Sequence, residues 1–142
     1  MLRGEFHAAG EFTPEELLEA YQRRLVTTIE SVGLSTVAEE TGLGRGTLLA
    51  LQEGESPELS LEEAAAILGT DPGLPDADTI VAEAQDILLM GMSSAVLDVE
   101  AVASGIDDEM DPKEIQQKVE GRHPMPLADY ALLHSYIERE KR

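Results

Sequence analysis

The sequence contains no cysteine and no tryptophan, and aromatic residues make up only 4% of it. The absent cysteines exclude disulfides, thiolate metal centres and a cysteine nucleophile. With so few aromatics, the core has to be built from Leu, Ile, Val, Ala and Met, which suits packed helices. Lysine is nearly as scarce. Lys113, Lys118 and Lys141 are the only three, and between Arg45 and Lys113 sixteen acidic residues occur with no basic one among them. No apolar run reaches the ~18 residues of a membrane-spanning helix, and no basic segment leads into an apolar one at the N-terminus. The chain is therefore expected to be cytoplasmic, with no membrane association.

What is present is acid. Against 29 Asp and Glu stand 10 Lys and Arg, a formal charge of −19 on 142 residues. Such self-repulsion destabilises a compact state in dilute buffer, whereas at molar salt the screening length shrinks to ~3 Å. The composition points to a protein of a high-salt cytoplasm; the alternative is an acidic face that meets a basic partner. The length allows one compact domain or two small ones.

The stretch from Thr36 to Leu68 organises the chain. Thr36 and Glu39 are spaced as a capping box, Gly42 suits a helix-ending turn, and a second helix is expected over Arg45–Gln52, ending at Gly54. Ser60 and Glu63 form another box that opens a third helix. Upstream, residues 1–12 read as an arm whose Phe6 and Phe12 dock on the core. Thr13, Pro14 and Glu16 then open a helix that runs to Val32. Downstream, residues 69–77 hold two Gly, two Pro and two Asp and break any helix. An unusually apolar helix over Asp78–Met92 follows, and Asp111 with Pro112 opens another through Glu120. The last helix is expected over Leu127–Arg139, with His134 on its packed stripe.

The second half repeats the first. A shift of 63 positions lays Leu17 on Ile80, Leu25 on Leu88, Val26 on Leu89 and Gly42 on Gly105. After four extra residues near Asp107–Met110, Gly54 meets Gly121; after one loss, Leu61, Ala65 and Ile67 meet Leu127, Ala131 and Leu133. The expected architecture is all-α, a tandem duplication of a four-helix unit. Its parts are an arm (1–12), a first unit (13–69), a linker (70–77) and a second unit (78–142), packed as one body.

Residues 36–68 resemble the lambda-repressor-like helix-turn-helix family of Cro and C1 type. The resemblance rests on Ala38, the turn pair Gly42 and Leu43, the apolar pair Leu48 and Leu51, Glu53 with Gly54, and Ser60 with Leu61. Taken whole, the chain also resembles a family of short haloarchaeal proteins with no established activity. The helix-turn-helix resemblance implies double-stranded DNA as partner, with the start of the recognition helix in the major groove. Carried over by position, the first copy offers Arg45, Thr47 and Gln52. It departs from the pattern at Gly46, which has no side chain, and at Leu49, which is apolar. In the second copy Lys113, Gln116, Gln117, Lys118 and Arg122 supply amides that pair with adenine and cations for guanine or phosphate. Glu114 and Lys118 are also spaced as an i,i+4 pair.

Two functions follow as expectations. One is a DNA-binding transcriptional regulator whose two copies act within one chain. The other is a protein-interaction module on a helix-turn-helix scaffold that no longer reads DNA, with a homodimer or protein partner on Ile80–Leu97. No glycine-rich phosphate loop or His-Glu-x-x-His spacing occurs, and the acids form a coat rather than a paired site. No enzyme activity, cofactor or metal is expected.

Overall fold

A computed structural model of the chain describes residues 5–141. Met1 to Gly4 of the expected arm, and Arg142 at the end of the expected second unit, lie outside them. Among the described residues the secondary structure is helical throughout. A 3-10 turn at Ala9–Glu11 leads into α1 (Pro14–Val32), α2 (Leu34–Thr41), α3 (Arg45–Gln52) and α4 (Leu61–Leu68). Then come α5 (Ala77–Ala95), α6 (Val99–Gly105), α7 (Pro112–Val119) and α8 (Leu127–Glu140).

Local chemistry sets most of the boundaries. Thr13 accepts from the Glu16 amide at 3.1 Å while Glu16 accepts from the Thr13 amide at 2.9 Å. Ser60 and Glu63 do the same for α4, and Asp76, Asp98 and Asp111 cap α5, α6 and α7. Each such cap stabilises a helix start by about 1 kcal/mol. The expected Thr36–Glu39 box does not form. A single residue, Gly33 at φ 104°, separates α1 from α2, so α2 begins at Leu34 and Thr36 lies inside it. With no side chain at Gly33, the chain turns there without needing a capping residue.

Each half runs long helix, short helix, short helix, last helix, and the long helices cross over. α1 packs most extensively on α8, the last helix of the other half, and α5 does so on α4. Between the halves Leu61 donates to the Met125 carbonyl at 2.7 Å and Leu127 donates to the Leu59 carbonyl at 2.8 Å. This two-bond bridge, centred on Ser60 and Pro126, joins positions that the expected repeat sets opposite each other. The core between the crossed helices is largely aliphatic, with two fully buried tyrosines, Tyr21 and Tyr130, and the buried polar residues Thr28, His134 and Ser135. Phe6 is half-buried and sets its ring edge-on to Tyr21 at 5.0 Å, and Phe6 and Phe12 both pack against the core.

Two of the aligned glycine pairs differ in kind. Gly54 and Gly121 both have positive φ, at 84° and 77°. Gly42 has φ 75°, but its counterpart Gly105 closes α6 with no positive φ. A Cβ on Gly105 would lie 2.0 Å from Cζ of Tyr136, so this glycine is needed for a close approach of α6 to α8 and not for a turn. Gly105→Ala is expected to displace the Tyr136 ring and destabilise the fold by about 1–2 kcal/mol, since that ring is half-exposed and can swing aside. In urea titrations the double variant with Tyr136→Leu is expected to lose less than the two single losses added.

Val96 is the conspicuous backbone exception. It caps α5 at φ 57°, in the left-handed region, which is strained for a β-branched residue by roughly 1–2 kcal/mol. The 63-residue shift sets Val96 opposite Gly33 of the first half.

Candidate functional site

Helix α3 presents Arg45, Gly46, Leu49 and Gln52 to solvent, with Thr47 half-buried. Arg45 is turned back onto the preceding helix, donating to Ser35 Oγ at 3.0 Å. Gln52 sits at the far end of α3, in a groove it shares with Glu19, Arg23 and Glu30 of α1. Acidic Glu53 and Glu55 follow it at the surface.

The five candidates of the second half lie together on α7 and its exit turn, but not as a basic patch. Lys118 is 12% exposed and its Nζ lies 2.6 Å from both Glu114 and Asp129. Burial alone would lower its pKa; the hydrogen bonds and charges of Asp129 and Glu114 outweigh that and raise it. The lysine is thus a permanently charged tie between α7 and α8, unable to reach a phosphate without leaving two carboxylates behind. Arg122 pairs with Glu120, and Gln116 donates to the same carboxylate at 3.4 Å. Gln117 is half-buried and its carbonyl receives the Arg122 amide at 2.8 Å. Lys113 is exposed on the first turn of α7. The i,i+4 partner of Lys118 was readable from spacing; Asp129, eleven positions on, was not.

His134 is buried with Tyr21 and Tyr130. Its Nδ1 lies 2.5 Å from the Tyr21 hydroxyl, the direction of donation depending on the imidazole tautomer. Tyr130 donates to the Ala84 carbonyl at 2.9 Å. Burial above all, with the Lys141 cation nearby, lowers the His134 pKa to about 3, and burial raises both tyrosines. The imidazole therefore stays neutral at physiological pH, enclosed among α1, α5 and α8, where it completes the core's polar pairing. Among the described residues no group of three His, Asp or Glu is placed to hold a metal ion.

A cleft of about 600 Å³ lies over the interhelical bridge, walled by Leu18, Pro57, Pro124 and Leu127. Its polar side chains are largely engaged elsewhere. Gln22 donates to Ser56, Ser60 and Glu63 cap α4, and Asp129 holds Lys118.

The remaining surface feature is apolar. Among the described residues four large hydrophobic ones are exposed, and three of them lie on the C-terminal half of α5 and its cap: Leu89 at 41%, Met90 at 64% and Val96 at 90%. Leu89, Ser93 and Val96 follow one another at i, i+4 and i+7, with Met90 alongside, so they form one stripe. No charged residue lies between Asp86 and Asp98. Where α5 meets α6 a cleft of about 450 Å³ opens beside the stripe, lined by Met92, Ser93, Val96, Leu97, Asp98 and Ala101. The sequence marked this region as apolar, and the structure divides it. Ile80, Ala84, Leu88 and Met92 face the core, while the stripe faces out.

A family model described as a family of unknown function, DUF5791, matches residues 17–140. The chain belongs to DUF5791. The match runs from the first buried residue of α1 to the last residue of α8, so the DUF5791 region holds both halves, the bridge and the α5 stripe. No curated protein and no solved structure matches the chain. Membership of DUF5791 carries no activity with it, and function has to be argued from the surfaces above. No single helix among the described residues is long and apolar enough to cross a membrane.

Proposed function

We propose that the chain is a protein-interaction module built from two copies of a helix-turn-helix unit, working at high salt. The carrying observation is the separation of its surfaces. Three of the four large exposed hydrophobic residues among the described ones lie on the uncharged stripe of α5 and its cap, while Arg45, Lys118 and Arg122 at recognition-helix positions are tied to carboxylates or a neighbour, leaving Lys113 exposed. Phosphate contacts normally dominate affinity for DNA, and a charge of −19 with Lys118 held by two acids works against them. The duplication is supported by the equivalent order of helices, by the α1–α8 and α5–α4 crossings, and by the bridge at equated residues.

A DNA-binding regulator is the second reading, favoured by the exposed Lys113 and Gln116 on α7. A photo-crosslinking residue introduced in turn at Met90, Leu49 and Lys113 separates the two in living cells. The expected outcome is a discrete protein adduct from position 90, none from position 49, and no nucleic-acid adduct from either 49 or 113. Nucleic-acid adducts from positions 49 and 113 would replace the interaction reading with the DNA one.

A further inference from the structure

We infer that the α5 stripe and the adjoining α5–α6 cleft form a docking groove for a basic amphipathic helix of another protein. The inference rests on the interaction reading and names the chemistry of the partner. Three observations support it.

The first is the backbone at Val96. A β-branched residue is held in the left-handed region at 90% exposure, in a C-cap whose Val96 and Leu97 amides donate to the Ser93 and Met92 carbonyls. The equated position in the first half is glycine, the residue that adopts this conformation freely. Two further equated pairs change in the same direction, although Thr28 with Gly91 and Val32 with Ala95 between them go to smaller side chains. Val26 and Thr27 of α1 correspond to Leu89 and Met90 of α5, and Val26 is half-buried whereas Leu89 is exposed. At three corresponding places the second half carries a larger or more apolar side chain and presents it to solvent. The cap requires the left-handed backbone but not a valine, and an exposed apolar side chain at a position that favours glycine adds to the uncovered patch.

The second is size. Three side chains so exposed present on the order of 300 Å², the range of a functional patch on a monomer, whereas a stable dimer buries about 800 Å² on each partner. The apolar patch would form only part of such an interface. It matches one helix laid across it, with apolar residues at i, i+4 and i+7. The 450 Å³ cleft between Met92, Leu97 and Ala101 accepts one of those side chains as an anchor, and Met92 supplies a flexible wall.

The third is charge. The stripe is bounded by Asp86 one turn before Leu89 and by Asp98 at the cleft, and no cation occurs in the sequence between Arg45 and Lys113. A second copy would bring −19 against −19. A helix with Leu on one face and Lys or Arg flanking it places cations against those carboxylates, and its approach is steered by the whole chain's field.

The test uses the full chain and a fluorescent synthetic helix of Leu and Lys with all Leu on one face, beside a scrambled peptide of the same composition. Anisotropy is read at the lowest salt at which the protein is folded. The amphipathic peptide is expected to bind at least tenfold more tightly than the scrambled one. Met90→Ser combined with Val96→Gly is expected to weaken it at least tenfold, and Leu49→Ser, an exposed hydrophobe outside the stripe, to leave it unchanged. Val96→Gly alone is expected to keep or raise the melting temperature, which separates a binding role from a folding one. Leu89→Ser gives the same reading if the double variant does not fold. Equal binding of the two peptides, or full binding by the stripe variants, would overturn the groove while leaving a protein partner of other chemistry open. A wild-type dimer in sedimentation that the double variant loses would assign the stripe to a second copy instead.

Discussion

Raising KCl from about 0.1 M to about 2 M is expected to lift the thermal midpoint by on the order of 10 °C, equivalent to about 3 kcal/mol for a chain of this size. The described ion pairs engage four cations, Arg24, Lys118, Arg122 and Lys141, with five carboxylates. The chain carries 29 acids, and those on α1, α2 and the α3 exit, such as Glu15, Glu19, Glu30, Glu39 and Glu53, lie exposed. Their mutual repulsion opposes folding in dilute buffer and fades as the screening length falls below their spacing. Most of the rise should come at the low end of the series, because screening saturates there first. Sucrose at equal osmolality supplies the control, stabilising by exclusion from the surface without screening. A midpoint that does not move with KCl would show that the acid coat is too dispersed to matter for stability.

The second large effect is acid sensitivity centred on His134. In the unfolded chain its pKa is the ordinary 6.5 or so; in the fold, burial lowers it to about 3. As pH falls through that window the unfolded state takes up a proton that the folded state refuses. Stability therefore drops by about 1.4 kcal/mol per pH unit, or on the order of 3 kcal/mol by pH 4. The contribution is fully present above pH ~6.5 and lost below it. Protonation of surface carboxylates acts in the opposite direction near pH 4, so the quantity to read is the difference between the wild type and His134→Gln, which cannot titrate. The variant is expected to be less stable at pH 7 and to lose that disadvantage as pH approaches 4. Parallel pH profiles would show that the imidazole is solvated. At the other end, Tyr21 and Tyr130 stay protonated in the fold beyond the ordinary tyrosine range. Stability should accordingly fall again as pH rises above about 10.

What was legible in the sequence was what is decided within a few residues. Thr13, Ser60 and Asp111 announce their helices because a cap is a contact with the amide three positions on, and 69–77 announces a break by its Pro and Gly. Thr36 has the same spacing but does not cap, because Gly33 lets α2 start earlier. Long-range pairing left no such trace. Tyr21 meets His134 across 113 positions, and nothing in the spacing of either says so. The helical stripe gave His134 a buried place but not its partner. Likewise the charges on α7 were countable, yet the neutralisation of Lys118 depends on Asp129, brought in by the turn to α8. The apolar excess of α5 was visible, but a helix with hydrophobic residues on several sides does not say which side the neighbours leave uncovered. That is decided by α4 and α8.

The crossing of α1 onto α8 also governs the order in which the chain is completed at the ribosome. α1 is synthesised well before its principal partner, α8. Until α8 is out, the apolar face of Leu17, Tyr21, Leu25 and Ile29 has only the lesser contacts of its own half. Contacts this distant in sequence close slowly, and a nascent chain showing such a face is a substrate for holding factors. The acid coat then has a role before there is a native state to stabilise, since chains of one charge sign repel while α1 waits for α8.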